Sequence, residues 1–475
     1  MAYTKYSLTP ADNNAAPPNG APEGMLPSGV NDTMRDMMSQ IRDVGDGIRG
    51  GTYTMTAPKI TGGSITGVTY SNIVITGGSI TGAALSGNTF TNPVISGGSI
   101  NNTPIGATTA TTATFTTATV NRVADSQGGS VAPISSVMRN RIINGAMVIN
   151  QRATAITATG YSVDRFAYFG SQAAKATISQ DTSVFPTGFN ASLKVVSSSA
   201  YTVGSTEEFE IYQSIEGFNI ADLGWGTAAA KTVTLSFQVY SSLTGTFGGA
   251  IQNGTGARSY PFSYSIPVAN TWTTISITIA GDTSGTWNTT NGIGIAVYFG
   301  LGVGSTKSGT VGSWSSSYFT SATGATSVVG TNGATFYITG VQLEVGTQAT
   351  GFEYRQYQQE LALCQRYYIK YLNASGVAFG SSFNDTTTTA VGLVVFPVTM
   401  RAAPTALEQT GTASNYRVRR SGGAATDCSS VPVFSTATTN LSQITFTVAS
   451  GLTAGEGSIL QANGADRFLA WSAEL

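Results

Sequence analysis

Four glutamates stand within ten residues, Glu207, Glu208, Glu210 and Glu216, and they form the best carboxylate cluster in the chain. Glycoside cleavage needs two carboxyl groups about 5 to 10 Å apart, one of them with a raised pKa. On a strand, Glu208 and Glu210 share a face while Glu207 points away. The same residues also read as a solvated edge strand whose charges block pairing with another sheet, and that is the expectation. Asp164-Arg165 is a further charged pair with the means to orient a ligand. There is no His, so the commonest general base and metal ligand is missing and His-dependent nucleophile triads fail. No Gly-rich phosphate loop follows a strand and opens a helix. Cys364 and Cys428 have neither metal-ligand spacing nor a disulfide framework, and are expected as buried thiols in a chain that folds in a reducing cytoplasm. Sites built from oxygen ligands stay open, and no cofactor is expected.

Binding chemistry is better represented than catalysis. Sugar rings are held by stacking on aromatics and by hydrogen bonds from amides and hydroxyls, and this chain is rich in both. Trp287, Trp314 and Tyr318 fall in Gly/Ser/Thr-rich loops and are glycan-binding candidates, although loop aromatics also serve as anchors. Trp272 begins an alternating strand and is assigned to the core. Asn384, Asp385 and the stretch Tyr416 to Arg420, with Arg417 and Arg419, are candidates expected at the surface. The arginines fit a solvated strand edge as well.

The elements that must position these residues are strands. Only 10% of the 475 residues are charged, against ~25% typically, and Gly, Ser, Thr, Ala and Asn dominate, so an all-β chain is expected. Val233, Leu235, Phe237 and Val239 alternate with polar residues, as do Ile275, Ile277 and Ile279, and again Ile293, Ile295, Val297 and Phe299. Several short strands at this spacing predict a sandwich. Further strands are expected over Tyr367 to Leu372, Thr389 to Val398, Gln443 to Val448 and Arg467 to Trp471. Gln356 to Arg366 reads as a helix at a domain joint, where three copies could meet. With 23 basic and 24 acidic residues there is no electrostatic footprint for nucleic acid. No apolar run approaches the ~18 residues of a membrane span, and the start lacks a secretory signal.

Between Met55 and Val120 a large apolar residue recurs at every fifth position, with Ala110 as the lapse, and Ile-Thr-Gly-Gly-Ser-Ile-Thr-Gly is written identically at 60–67 and 75–82. A period of five matches neither helix nor flat strand, so each pentad reads as a short β side and a corner. One chain could coil alone, which gives about three turns at roughly 4.8 Å each, or three chains could share the core. The three-chain shaft is the expectation. Ahead of it, a Pro-rich arm leads to Val30, Met34, Met37, Met38 and Ile41 on one helical stripe, with no globular domain nearby in sequence to pack on.

The run from Ala21 to Arg35 resembles the amino-terminal attachment segment of bacteriophage fibre proteins. Arg139 to Arg152 with Tyr161 to Phe166 opens, and Phe336 to Gly346 with Ala349 to Arg355 and Glu360 to Tyr368 closes, a module that resembles the β-sandwich of phage tail fibres. The resemblance implies a jelly roll related to carbohydrate-binding modules over about 139–357, with Asp164-Arg165 as an ion pair pinning its start. The last region, with the Met400 to Pro404 bend and the final Trp471 to Leu475, resembles a terminal fibre knob.

The expected organisation is therefore a virion anchor (1–52), a pentad shaft (53–124), a linker (125–138), the jelly roll (139–357) and a receptor-binding knob (358–475). The expected protein is a homotrimeric, non-enzymatic phage fibre of the virion. It docks on tail or head through Val30, Met34, Met37, Met38 and Ile41, and binds a host-surface polysaccharide, primarily through the knob. The rivals are a tailspike depolymerase and a purely structural head fibre or decoration protein.

Overall fold

A computed structural model describes residues 31–32, 34–39, 41 and 138–475. They belong to two units of the chain, Met1–Thr116 and Thr117–Leu475, each described by itself. The pentad ladder, the proline arm, Val30 and the linker up to residue 137 lie outside the described residues. In the first unit the described residues form a helix, α1 (31–32, 34–39 and 41), as the apolar stripe predicts. Met34, Met37, Met38 and Ile41 stand 42% to 67% exposed.

The second unit opens with a sandwich of thirteen strands. They are β1 (Gly160–Tyr161), β2 (Ala167–Gly170), β3 (Ala176–Asp181), β4 (Ser192–Ser197), β5 (Glu208–Glu216), β6 (Val233–Ser241), β7 (Gly245–Asn253), β8 (Ser259–Ile266), β9 (Thr273–Ile279), β10 (Ile293–Val303), β11 (Ser308–Gly309), β12 (Ser321–Ala322) and β13 (Thr335–Val345). One sheet runs β1-β2-β5-β10-β7-β8, the other β3-β4-β13-β6-β9, and β11 and β12 form a separate short pair. Period-two alternation drives this arrangement. Val233, Leu235, Phe237 and Val239 of β6 all point inward and are buried, as are Ile295, Val297 and Phe299 of β10. The Phe237 ring meets Phe299 edge-on at 5.0 Å and Tyr264 at 5.1 Å across the core. Each such fully buried side chain contributes about 1.5 to 3 kcal/mol. The β12 segment lies directly on the outer face of the first sheet, and a Cβ on Gly248 or Gly300 would come within 2.5 or 2.7 Å of Ser321 Oγ. Only glycine permits that approach. The result is an all-β jelly-roll sandwich.

After helix α2 (Tyr357–Gln365), ten more strands build the second body: β14 (Tyr368–Asn373), β15 (Ala378–Asn384), β16 (Thr389–Val395), β17 (Glu408–Gln409), β18 (Tyr416–Arg420), β19 (Ala425–Asp427), β20 (Val433–Ala437), β21 (Leu441–Thr447), β22 (Gly457–Ala462) and β23 (Arg467–Ser472). A seven-stranded sheet, β19-β18-β22-β15-β16-β21-β20, packs its inner face near a three-stranded one, β14-β23-β17. Trp471 is fully buried there, 5.3 Å from Phe396 and 6.1 Å from Tyr371.

Two charged-residue expectations are corrected. Strand β5 is not an edge; it lies between β2 and β10, and Glu208, Glu210 and Glu216 are all buried. Asp164 and Arg165 do not pair with each other. Asp164 accepts from the Gln151 backbone N–H at 2.8 Å and its side-chain amide at 2.5 Å, closing a turn. Arg165 points the other way, ion-pairs with Glu474 and lies 3.6 Å over the Tyr367 ring. That pairing helps join the sandwich to the knob, together with Glu216, which accepts from Arg366 at 2.9 and 2.6 Å and from the Tyr367 hydroxyl at 2.7 Å.

Candidate functional site

The residues that open and close the sandwich form a clasp. Asn144, at φ +60°, accepts the Ile149 N–H on its side-chain oxygen and donates from its amide to Ile149 O and Asp164 O. Glu353 accepts the Arg139 and Asn140 N–H groups at 3.1 and 2.9 Å, and Glu360 of α2 accepts the Asn144 N–H. Arg355 donates to Ile142 O at 3.0 Å and to Asn140 O. Beside this clasp lies a cleft of about 540 Å³ lined by Phe189, Phe352 and Tyr354, whose ring centroids are 4.9 to 5.4 Å apart. Its deep polar groups are already committed to the fold.

The outer face of the five-stranded sheet is different. Because β6 and β13 alternate, the residues out of phase with the core face outward: Tyr240, paired in register with Tyr337, and Gln238. Trp272, just before β9, joins them. The Tyr240 ring is 5.3 Å from Tyr337 and 5.6 Å from Trp272, which makes an aromatic row across three neighbouring strands. Trp272 is half-buried on this face, not in the core expected of it as the start of a strand; it is out of phase with the inward Ile275, Ile277 and Ile279. The Lys194 ammonium lies 5.6 Å from the Tyr337 centroid and 3.1 Å from Asp181 Oδ2. Backbone hydrogen bonds to the Ser183 and Val184 N–H groups, with Lys194, hold Asp181 below the usual carboxylate range against the opposing effect of burial. Gln238 and its register neighbour Thr274 have side chains with no partner among the described residues. Two half-buried rings, Tyr240 and Trp272, the buried ring of Tyr337, unspent amide and hydroxyl groups and one ion pair thus share one face of the sheet.

The third cluster lies on the outer face of the six-stranded sheet, under the β12 segment. Glu208 and Glu210 share that face with Tyr212 and Tyr298, stacked at 5.2 Å, and with Tyr318. Burial and the adjacent Glu208 push Glu210 up to about 8, and burial raises Glu208 as well. Glu207 does point away, as expected, and accepts from Tyr201 and Gly204.

The sequence candidates are scattered. Trp287 is buried in a three-indole cluster, 4.7 Å from Trp225 and 5.4 Å from Trp314, with its N–H donated to Ser284 O. Trp314 is partly buried and donates to Ala280 O. Tyr318 is 37% exposed, with the Lys307 ammonium 4.4 Å over its ring. In the knob, Asn384 and Tyr416 are fully buried. The Tyr416 hydroxyl donates to Phe468 O and accepts from Thr410 N–H, which is a core role. Asp385 and Arg419 are exposed, and Arg417 is half-buried with a 3.4 Å contact to Asn463. The register sets Arg417 beside Gln461 and Arg419 beside Ile459 on the outer face of the seven-stranded sheet. The aromatic row was missed, although its signal is present: Tyr240 and Tyr337 are the bulky residues out of phase with their strands' buried neighbours.

No family model matches this chain, and no curated protein matches it. Among solved structures, the chain is similar to the enzymatically active domain of bacteriophage CBA120 tailspike protein 4, at 15% identity and a TM-score of 0.26, covering 46% of this chain and 22% of that one. It is also similar to a CBM4 structure, at 13% identity and a TM-score of 0.24, covering 43% of this chain and 98% of that one. A third is TmCBM61 in complex with β-1,4-galactotriose, at 10% identity and a TM-score of 0.24, covering 44% of this chain and 99% of that one. The chain thus spans about a fifth of the tailspike domain it matches.

Proposed function

We propose that this chain is a non-catalytic bacteriophage fibre that binds a host-surface glycan through the outer face of the five-stranded sheet. The observation that carries the reading is the row Tyr337, Tyr240 and Trp272 beside the unspent side chains of Gln238 and Thr274. Aromatic faces take the apolar side of a sugar ring while amides and hydroxyls take its hydroxyls. An open sheet face also suits the middle of a long polysaccharide, since neither end of the chain need be enclosed. The buried glutamates lie under a covering segment instead of flanking an open cleft, which favours binding over cleavage. This reading moves the primary contact from the knob to the sandwich, because Asn384 and Tyr416 belong to the knob's interior. Virion attachment through α1 rests on the fibre resemblance and on its exposed methionines.

The test is titration of purified host polysaccharide against Trp272→Ala and Tyr240→Ala. Each is expected to weaken binding about tenfold, which corresponds to ~1.4 kcal/mol. Binding unchanged in both variants would reject the face, and new reducing ends released from the polysaccharide would reject the non-catalytic reading. A homotrimer, which would multiply weak contacts by avidity, predicts a solution mass near three times 48.9 kDa by light scattering. A monomeric mass would overturn that part.

A further inference from the structure

Two buried carboxylates of β5 do not take part in the glycan-binding reading, yet they share one enclosed spot of the sandwich. Glu208 and Glu210 lie side by side on one strand face, 8% and 1% exposed. Glu208 accepts weakly from the Thr320 hydroxyl at 3.4 Å and also from the Tyr318 hydroxyl, whereas Glu210 Oε2 has no hydrogen-bond partner. A second, independent orphan faces them. Ser321 Oγ is buried and unpartnered, and it sits against Gly300, the residue that pairs in register with Glu210. Buried polar atoms are rarely left unpaired, and two adjacent carboxylates are costly to bury as anions without a cation. Lys307, whose ammonium rests over the Tyr318 ring, acts on both glutamates through its charge but makes no direct ion-pair contact with either.

We propose that Glu208, Glu210, Thr320 and Ser321 form a Ca²⁺ site that fastens the β12 segment to the outer face of the six-stranded sheet. Two carboxylates and two hydroxyls supply up to six oxygens, the lower end of what Ca²⁺ accepts, and nitrogen or sulfur ligands are absent from the group. Tyr318, 37% exposed, stands beside the pair with its hydroxyl on Glu208.

The full chain, stripped with chelator, should bind about one Tb³⁺ and show emission sensitised by the neighbouring tyrosines, which Ca²⁺ competes away. Calcium should raise the melting temperature of the unmodified protein and Mg²⁺, which demands a tighter octahedral shell, should do so less. In the Glu208→Gln/Glu210→Gln double variant both effects should vanish. Calorimetric titration of the unmodified chain that detects no Ca²⁺ uptake would overturn the site, whether or not the variant folds. So would a double variant that keeps the full calcium-dependent melting shift.

Discussion

Glu474→Ala is expected to cost about 3 to 5 kcal/mol of stability, the usual penalty for breaking a buried ion pair from one side. Arg165 is among the largest fully buried side chains in the chain. Its guanidinium is held by the Glu474 carboxylate, by Ser214 O at 2.5 Å and by the Tyr367 ring. The same carboxylate lies 3.4 Å from Arg152, whose guanidinium stacks 3.6 Å from Tyr368. Removing it leaves one enclosed cation uncompensated and loosens a second. Arg165→Met combined with Glu474→Leu should recover most of the loss, because an apolar pair of similar volume needs no desolvation. Denaturant unfolding of the three proteins checks this. A single variant as stable as the parent would mean that water reaches Arg165 and compensates its charge.

This pair also marks where reading the sequence stops. The strands of the sandwich were legible because burial on one face writes a period of two into 232–240, 275–279 and 293–299, and each became a strand whose alternating apolar residues pack on the core, except Ile293, which a register shift separates from Ile295. The terminal strands were legible for the same reason, and helix α2 falls within the expected 356–366. What alternation does not encode is which neighbour covers the second face. A strand rich in glutamate looks like an edge until β2 and β10 are known to flank it. Arg165 was read with the carboxylate next to it in sequence, while its partner lies 309 residues away. Aromatics in Gly/Ser/Thr-rich loops read as either anchors or glycan platforms, and Trp287 is an anchor, buried because the loop folds back on Trp225. The aromatic row carried the opposite signature: its rings sit on regular strands or directly before one, out of phase with the core, and there alternation does identify the outward face.

Glu216→Gln should weaken the attachment between sandwich and knob, and do so only where the parent carboxyl is ionised. Burial works to raise the proton affinity of Glu216, but hydrogen bonds from Arg366 and Tyr367 outweigh it, and the carboxyl is held below its ordinary value of 4.5. A folded-state pKa below the unfolded one contributes stability that is fully present above the unfolded value and is lost as pH falls through the folded one. The pair is half accessible: Glu216 is 1% exposed, whereas Arg366 is 32% exposed and can turn to water when its partner is neutral. The expected loss at pH 7 is therefore smaller than for Glu474, about 1 to 3 kcal/mol. The Tyr367 hydroxyl keeps an acceptor in the amide, so the residual cost belongs to the ion pair. Unfolding of parent and variant, followed from pH 7 down into acid, should show a gap that begins to narrow below about pH 4.5 and closes once the parent's carboxyl has taken up its proton. A gap that stays constant with pH would show that the variant acts through packing and that the Glu216–Arg366 pair adds no charge-dependent stability to the joint.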